Sequence, residues 1–311
     1  MAFLYALPGA VAEGLIWGLM AIGVYISYKI LDIADLTVDG SICTGACVCA
    51  VLLGLGLPAW VCVLAALLAG ALTGMVTGLL HTRLGIPSIL AGILTQLMLY
   101  SVNLLILSGK SLAPVDPRAN NLLVHMSNNP RSILVMAVVV AATIFVLYEF
   151  FYTQIGLTLK SAGDNPDMSR AQGVDVDRNK VLGLAIANGI VAMAGAMLAQ
   201  YKGSANINDG RGAIVIALAA IFIGLSVSLK IKPNFVVSLI GVVSGGIVYY
   251  IVYNFVILLG LKTDYLKMLS AIIVALFLGV PYLKGKYFTK QRDLRPSQII
   301  EQSRKGGNGD A

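Results

Sequence analysis

The sequence predicts an all-α fold: a polytopic bundle of about nine membrane-spanning helices, within a range of eight to ten, with the N-terminus outside and the C-terminus in the cytoplasm. Three observations carry this. Of 311 residues, 58% are apolar and only 12% charged, against about 25% charged in an ordinary soluble domain, which excludes a soluble enzyme. The apolar residues gather into runs matching the roughly 20 residues that cross a bilayer core as helix. The Lys and Arg residues fall between these runs and report orientation, so the net charge of +7 does not point to nucleic acid.

The first span runs near 10–30, and because no basic residue precedes Lys29 it lacks the start of a cleaved signal and is expected to be retained. The segment Leu31–Gly40 then sets Asp32, Asp35 and Asp39 between two apolar runs. A charge in the hydrocarbon core costs at least about 2.5 kcal/mol, so these carboxylates must meet water, partners or a cavity. Two readings stand: a solvated inside loop, or a broken or re-entrant helix lining a path. On the second, Asp35, Thr37 and Asp39, with Gln96 and Asn103 of the fourth span, are the candidate path residues.

Spans two to four lie near 41–57, 59–80 and 87–108. Cys43, Cys47, Cys49 and Cys62 fall in apolar stretches without zinc-site spacing and read as small buried hydrophobes. No metal site is expected. In the third span Gly70, Gly74 and Gly78 form one smooth stripe, and Gly241 and Gly245 repeat the spacing in the eighth; such stripes let backbones approach where lipid supplies no hydrophobic drive. Gln96, Asn103, Asn188 and Asn254, uncharged inside spans, read first as interhelical hydrogen-bonding groups.

The fifth to ninth spans lie near 132–152, 180–201, 213–229, 234–258 and 266–283. The tail 284–311 carries seven basic residues, which places it in the cytoplasm and in reach of anionic lipid. Counting back leaves only Lys110, Arg118, Arg131, Lys202, Arg211, Lys262 and Lys267 outside among the 22 basic residues. The outer segments Ser108–Arg131 and Tyr201–Arg211 read as solvated loops, and 153–180 as an inside loop.

Within that inside loop Asn165 is a good N-cap, Pro166 suits the first helical position, Asp167 favours the helix start, and Gly173 suits a left-handed position just past the end. The spacing predicts a short helix over 166–172. Isolated helices below about 12 residues are marginal, so either neighbouring membrane helices or a separate subunit must hold it.

The run Gly156 to Arg170 (GLTLKSAGDNPDMSR), then Gly173-Val-Asp-Val, the small-residue span Leu182 to Tyr201 with Ala194-Gly195-Ala196, and Ala217 to Gly224 resemble the inner-membrane permeases of the branched-chain amino acid and ribose ABC importers. Gly23 to Leu31, Asp35-Leu-Thr-Val-Asp-Gly40 and Gly45-Ala46 extend the resemblance over 14–283, and Asp35 to Gly40 is most similar to a subgroup linked with aromatic amino acid import. The resemblance implies a permease domain over 1–283 with Gly163, Asp164, Asn165, Pro166, Asp167, Met168, Ser169, Arg170 and Gly173 forming a coupling helix for a separate ATPase. It also implies a second permease copy, an external substrate-binding protein, a bacterial inner-membrane location, alternating access, and a small polar cargo, foremost an amino acid. No G-x-x-x-x-G-K-[ST] motif is present, so ATP and Mg belong to the partner and this chain is not itself an enzyme.

An ion-coupled carrier or a passive channel is the alternative. A carrier needs ionisable groups at mid-membrane, and the carboxylates within spans, Glu13 and Glu149, sit near span ends. A channel leaves the capped inside helix without a purpose.

Overall fold

The computed structural model describes residues 2–116, 122–126, 129–228 and 234–258, together with Met268, Ala271, Ile272, Ala275 and Gly279. The expected ninth span therefore falls on residues of which only those five are described, and the basic tail lies outside the described residues. Helices α1 (Ala2–Tyr25), α2 (Val38–Gly54), α3 (Ala59–Thr82), α4 (Ser88–Ile106), α5 (Asn129–Tyr152), α6 (Gln154–Asp164), α7 (Pro166–Ala171), α8 (Val176–Lys202), α9 (Ala213–Ser228) and α10 (Phe235–Leu258) pack as one compact unit. Six of them are long and apolar enough to cross a membrane, while α2 and α9 are shorter apolar helices.

Burial ranks the helices in a way hydropathy does not. The apolar windows of α1 and α8 are each 83% buried, against 28% for α4 and 17% for α5. The first two are the axis of the bundle and the others its outer wall. Close approach to α8 falls to glycines. A Cβ added at Gly70 or Gly74 would meet the backbone carbonyls of Asn188 and Leu184, and one at Gly78 would lie 2.8 Å from Val181 Cα. Across the bundle, Gly245 of α10 faces Ala220 and Gly224 of α9, and Gly224 in turn faces Gly241. Replacing Gly74 with Val should push α3 off α8 and remove the monodisperse peak on size exclusion. Gly54→Val, where nothing lies within 4 Å of an added Cβ, should elute as the parent.

Three local structures depart from the expectations. The first is at the end of α1, which widens into a π-helical turn over Ile26–Ile30, after which Asp32 takes a φ of 54° and the chain runs without helix to α2. Asp35 Oδ1 accepts from the Thr37 N–H at 2.9 Å, an Asx turn that restarts the helix. Because Ser41 and Asp35 meet Asn188, near the middle of α8, and Cys49 meets Gln200 near its end, α2 begins halfway along the bundle and runs parallel to α8. The reading of 31–40 as a solvated loop is thereby overturned at Asp35, which is 2% exposed.

The second departure is α6, in a stretch read as loop. Thr153 caps it by accepting from the Gly156 N–H, and Gly156 and Gly163 let it lie against the ends of α5 and α1. The third is a small antiparallel sheet, β1 (Leu112–Pro114) with β2 (Ser204–Asn206), in which Ala113 pairs with Ala205. It ties together the two segments expected to be separate outer loops. The four cysteines are free and buried.

Candidate functional site

Two connected sites and one protruding helix emerge. The first is a buried polar network. The sequence repeats a glycine and a threonine three residues apart, Gly70-x-x-Thr73-Gly74-x-x-Thr77-Gly78, so the glycine stripe of α3 carries two hydroxyls beside it. Thr77 Oγ1 lies 2.7 Å from Thr37 Oγ1, and Thr73 Oγ1 lies 2.7 Å from Ser41 Oγ. Ser41 donates to Asn188 Oδ1 at 2.6 Å, while Asn188 Nδ2 donates to Asp35 Oδ2 at 2.6 Å and to the Leu184 carbonyl at 3.0 Å. Both Asp35 oxygens are thus engaged by neutral donors, which is what burial of a carboxyl group requires. Asp35, Thr37, Ser41, Thr73, Thr77 and Asn188 are all buried. The network binds the unwound segment before α2 to both α3 and α8.

The second is a polar cavity of about 370 Å³ between the start of α2, the second half of α4 and the segment before α9. Of the sequence-predicted path residues, Asp39, Gln96 and Asn103 line it; Asp35 and Thr37 do not, since they are spent on the network. Asp39 reaches across to α9, accepting from the N–H groups of Gly212 at 2.8 Å and Ile214 at 2.9 Å. A carboxylate there satisfies orphan amides and opposes the positive end of the helix. Replacing Asp39 with Ala should therefore lower stability by about 1 kcal/mol, read as a drop in the thermal midpoint in detergent, with Asn at the same position losing less. Cys43 supports the same corner, donating to the Ile207 carbonyl at 3.2 Å and accepting from the Gly210 N–H at 3.1 Å.

Arg211 and Tyr100 complete the cavity, the guanidinium lying 5.9 Å from the ring centroid. Sequence reasoning placed Arg211 in a solvated outer loop. The available signal was a single Arg two residues before a helix whose first thirteen residues carry no polar side chain. Asn103 is 1% exposed, and its Oδ1 has no hydrogen-bond partner among the described residues. Two larger grooves, of about 700 and 520 Å³, run beside α5 and are lined almost wholly by apolar side chains. They lack the convergent polar groups that orient a ligand.

At the end of the bundle opposite the sheet, α7 forms with the caps its sequence specifies. Asn165 Oδ1 accepts from the Met168 N–H at 3.0 Å, and Pro166 occupies the first turn. Gly173 takes a φ of +81°; its N–H bonds to the Arg170 carbonyl and that of Val174 to the Ser169 carbonyl, a Schellman closure. Ser169 is buried, and Arg170 reaches Asp177 of α8 at 3.5 Å, so α6 and α8 hold the helix in place. Met168 is left 58% exposed. One residue beyond the Schellman turn, Asp175 caps α8 by accepting from the Arg178 N–H. The helix and the central span are thus joined by a short, fully capped corner.

Comparison with known proteins bears on what these sites serve. The family described as branched-chain amino acid transport system / permease component matches residues 9–278. A tyrosine transport system permease protein of Clostridioides difficile is 37% identical over 268 residues, covering 86% of this chain and 88% of that one. The ribose import permease protein RbsC of Escherichia coli is 24% identical over 247 residues, 78% of this chain and 75% of its own. No solved structure matches the chain.

Proposed function

Since the chain belongs to the branched-chain amino acid transport system permease component family, and so to the multi-pass permeases of the bacterial inner membrane, we propose that it is the membrane subunit of an ATP-driven amino acid importer. Tyrosine is the first cargo to test, because the relative most fully covered among those described is a tyrosine transport permease. The importer consists of two copies of this chain, two ATPase subunits that hold ATP and Mg, and an external binding protein that delivers cargo to the sheet-bearing end. The N-terminus lies outside and α7 faces the cytoplasm.

The observation that carries this reading is α7, a capped, partly exposed helix rigidly joined to one of the two most buried spans. A closing ATPase that seats α7 displaces α8; α8 moves the start of α2 through Asn188 and Asp35; and α2 carries Asp39 and the wall of the polar cavity. Alternating access then follows from rocking of glycine-seamed helices as rigid pieces. An ion-coupled carrier would use Asp35 as its titrating group. Both Asp35 oxygens are already bound by Thr37 and Asn188, which favours a structural link over an ion site.

Affinity purification of the tagged chain from its native membrane, followed by mass spectrometry, tests the assembly. Recovery of a P-loop ATPase that disappears when residues 165–173 are scrambled is expected. A homo-oligomer without any nucleotide-binding partner would contradict it.

A further inference from the structure

We infer that the cavity between α2 and α4 is a recognition station, within the permease itself, for the zwitterionic head of an α-amino acid. Arg211 pairs with the α-carboxylate and Asn103 Oδ1 accepts from the α-ammonium. The inference rests on the amino acid reading above and adds where, and through which atoms, the cargo is held.

Three features support it. The cavity, at about 370 Å³, is within the roughly 300–1,000 Å³ typical of small-molecule sites. Its acceptors are unequally occupied: both oxygens of Asp39 already take backbone N–H groups of the α9 start, whereas Asn103 Oδ1, buried to 1% exposure, has no partner among the described residues. That oxygen is closed off in this state, so an ammonium group reaches it only once the Asn103 amide swings into the cavity, and the cost of leaving a buried carbonyl oxygen bare favours that exchange. Third, the charges suit a zwitterion. Arg211 is a fixed cation, and Asp39 is a carboxylate on the same cavity wall whose two oxygens are engaged by backbone amides. Leu97 and Ile207 give the remaining wall an apolar surface for an amino acid side chain.

The test is competition against radiolabelled L-tyrosine on the purified full complex without its binding protein, using tyramine, 3-(4-hydroxyphenyl)propionate and D-ribose. Tyrosine should bind, and each truncated analogue should bind about tenfold more weakly, the loss expected of one hydrogen bond to a charged group. Asn103→Leu, which removes the bare acceptor, should weaken tyrosine about tenfold while leaving 3-(4-hydroxyphenyl)propionate, which has no ammonium, unchanged. Arg211→Gln should weaken tyrosine and leave tyramine unchanged. Asn103→Asp, which keeps an acceptor, should retain tyrosine binding and guards against a folding defect in the leucine variant. If the intact complex imports tyrosine but neither variant changes binding, the station is refuted and the amino acid reading stands. If ribose binds and is imported while tyrosine is not, both fall.

Discussion

Asn188→Leu is expected to abolish uptake and to destabilise the protein by about 3 kcal/mol, because it strips the donor from Asp35 Oδ2 and the acceptor from Ser41 in a site without water access. The thermal midpoint in detergent and uptake by reconstituted complex read the two effects. The reciprocal exchange, Asp35→Asn with Asn188→Asp, should restore part of both, the bond from position 188 to the Leu184 carbonyl being lost. Asn at position 35 still accepts from the Thr37 N–H and donates to the new carboxylate, which in turn still accepts from Ser41. A double variant no better than Asn188→Leu would show that the residues act independently and that the segment before α2 is not moved through α8.

Replacing Pro166 and Asp167 together by Gly is the second large effect expected. α7 has six residues, and each Gly costs about 1 kcal/mol of helix stability relative to a good helix former, so a helix this short loses its fixed shape. The protein should insert and purify in normal amount, since neither residue is buried. ATP hydrolysis should continue but no longer rise with loaded binding protein, and uptake should fall at least about tenfold, the change a loss of 1.4 kcal/mol in coupling produces. Unchanged stimulation and uptake would remove α7 from the mechanism.

The parts legible in the sequence are those fixed by local chemistry. Asn165, Pro166 and Gly173 specify α7 because capping needs only neighbouring residues, and the stripe of Gly70, Gly74 and Gly78 announces a close packing partner by its period alone. Eight of the nine expected spans coincide with described helices, six of them long and apolar enough to cross a membrane, since run length against bilayer thickness is a one-dimensional property. Partners in space were not legible. Nothing near Asp35 indicates that Asn188, 153 residues on, would bind it, so a buried carboxyl read as a loop carboxylate. Arg211 and Tyr100 meet only because the segment before α9 returns to the cavity between α2 and α4, and three-residue strands such as β1 and β2 are too short to leave an alternating pattern. α6 was hidden by its glycines, which weaken helix propensity and were selected here for contact with the ends of α1 and α5.

The most direct measurement of the central claim is uptake of radiolabelled tyrosine into proteoliposomes holding the complex purified from native membrane, with ATP trapped inside or absent, and with a proton or sodium gradient imposed or collapsed. The account predicts uptake that requires ATP and external binding protein and is indifferent to either gradient. Uptake driven by a gradient in the absence of ATP would contradict it and would give Asp35 the role of an ion-coupling carboxylate.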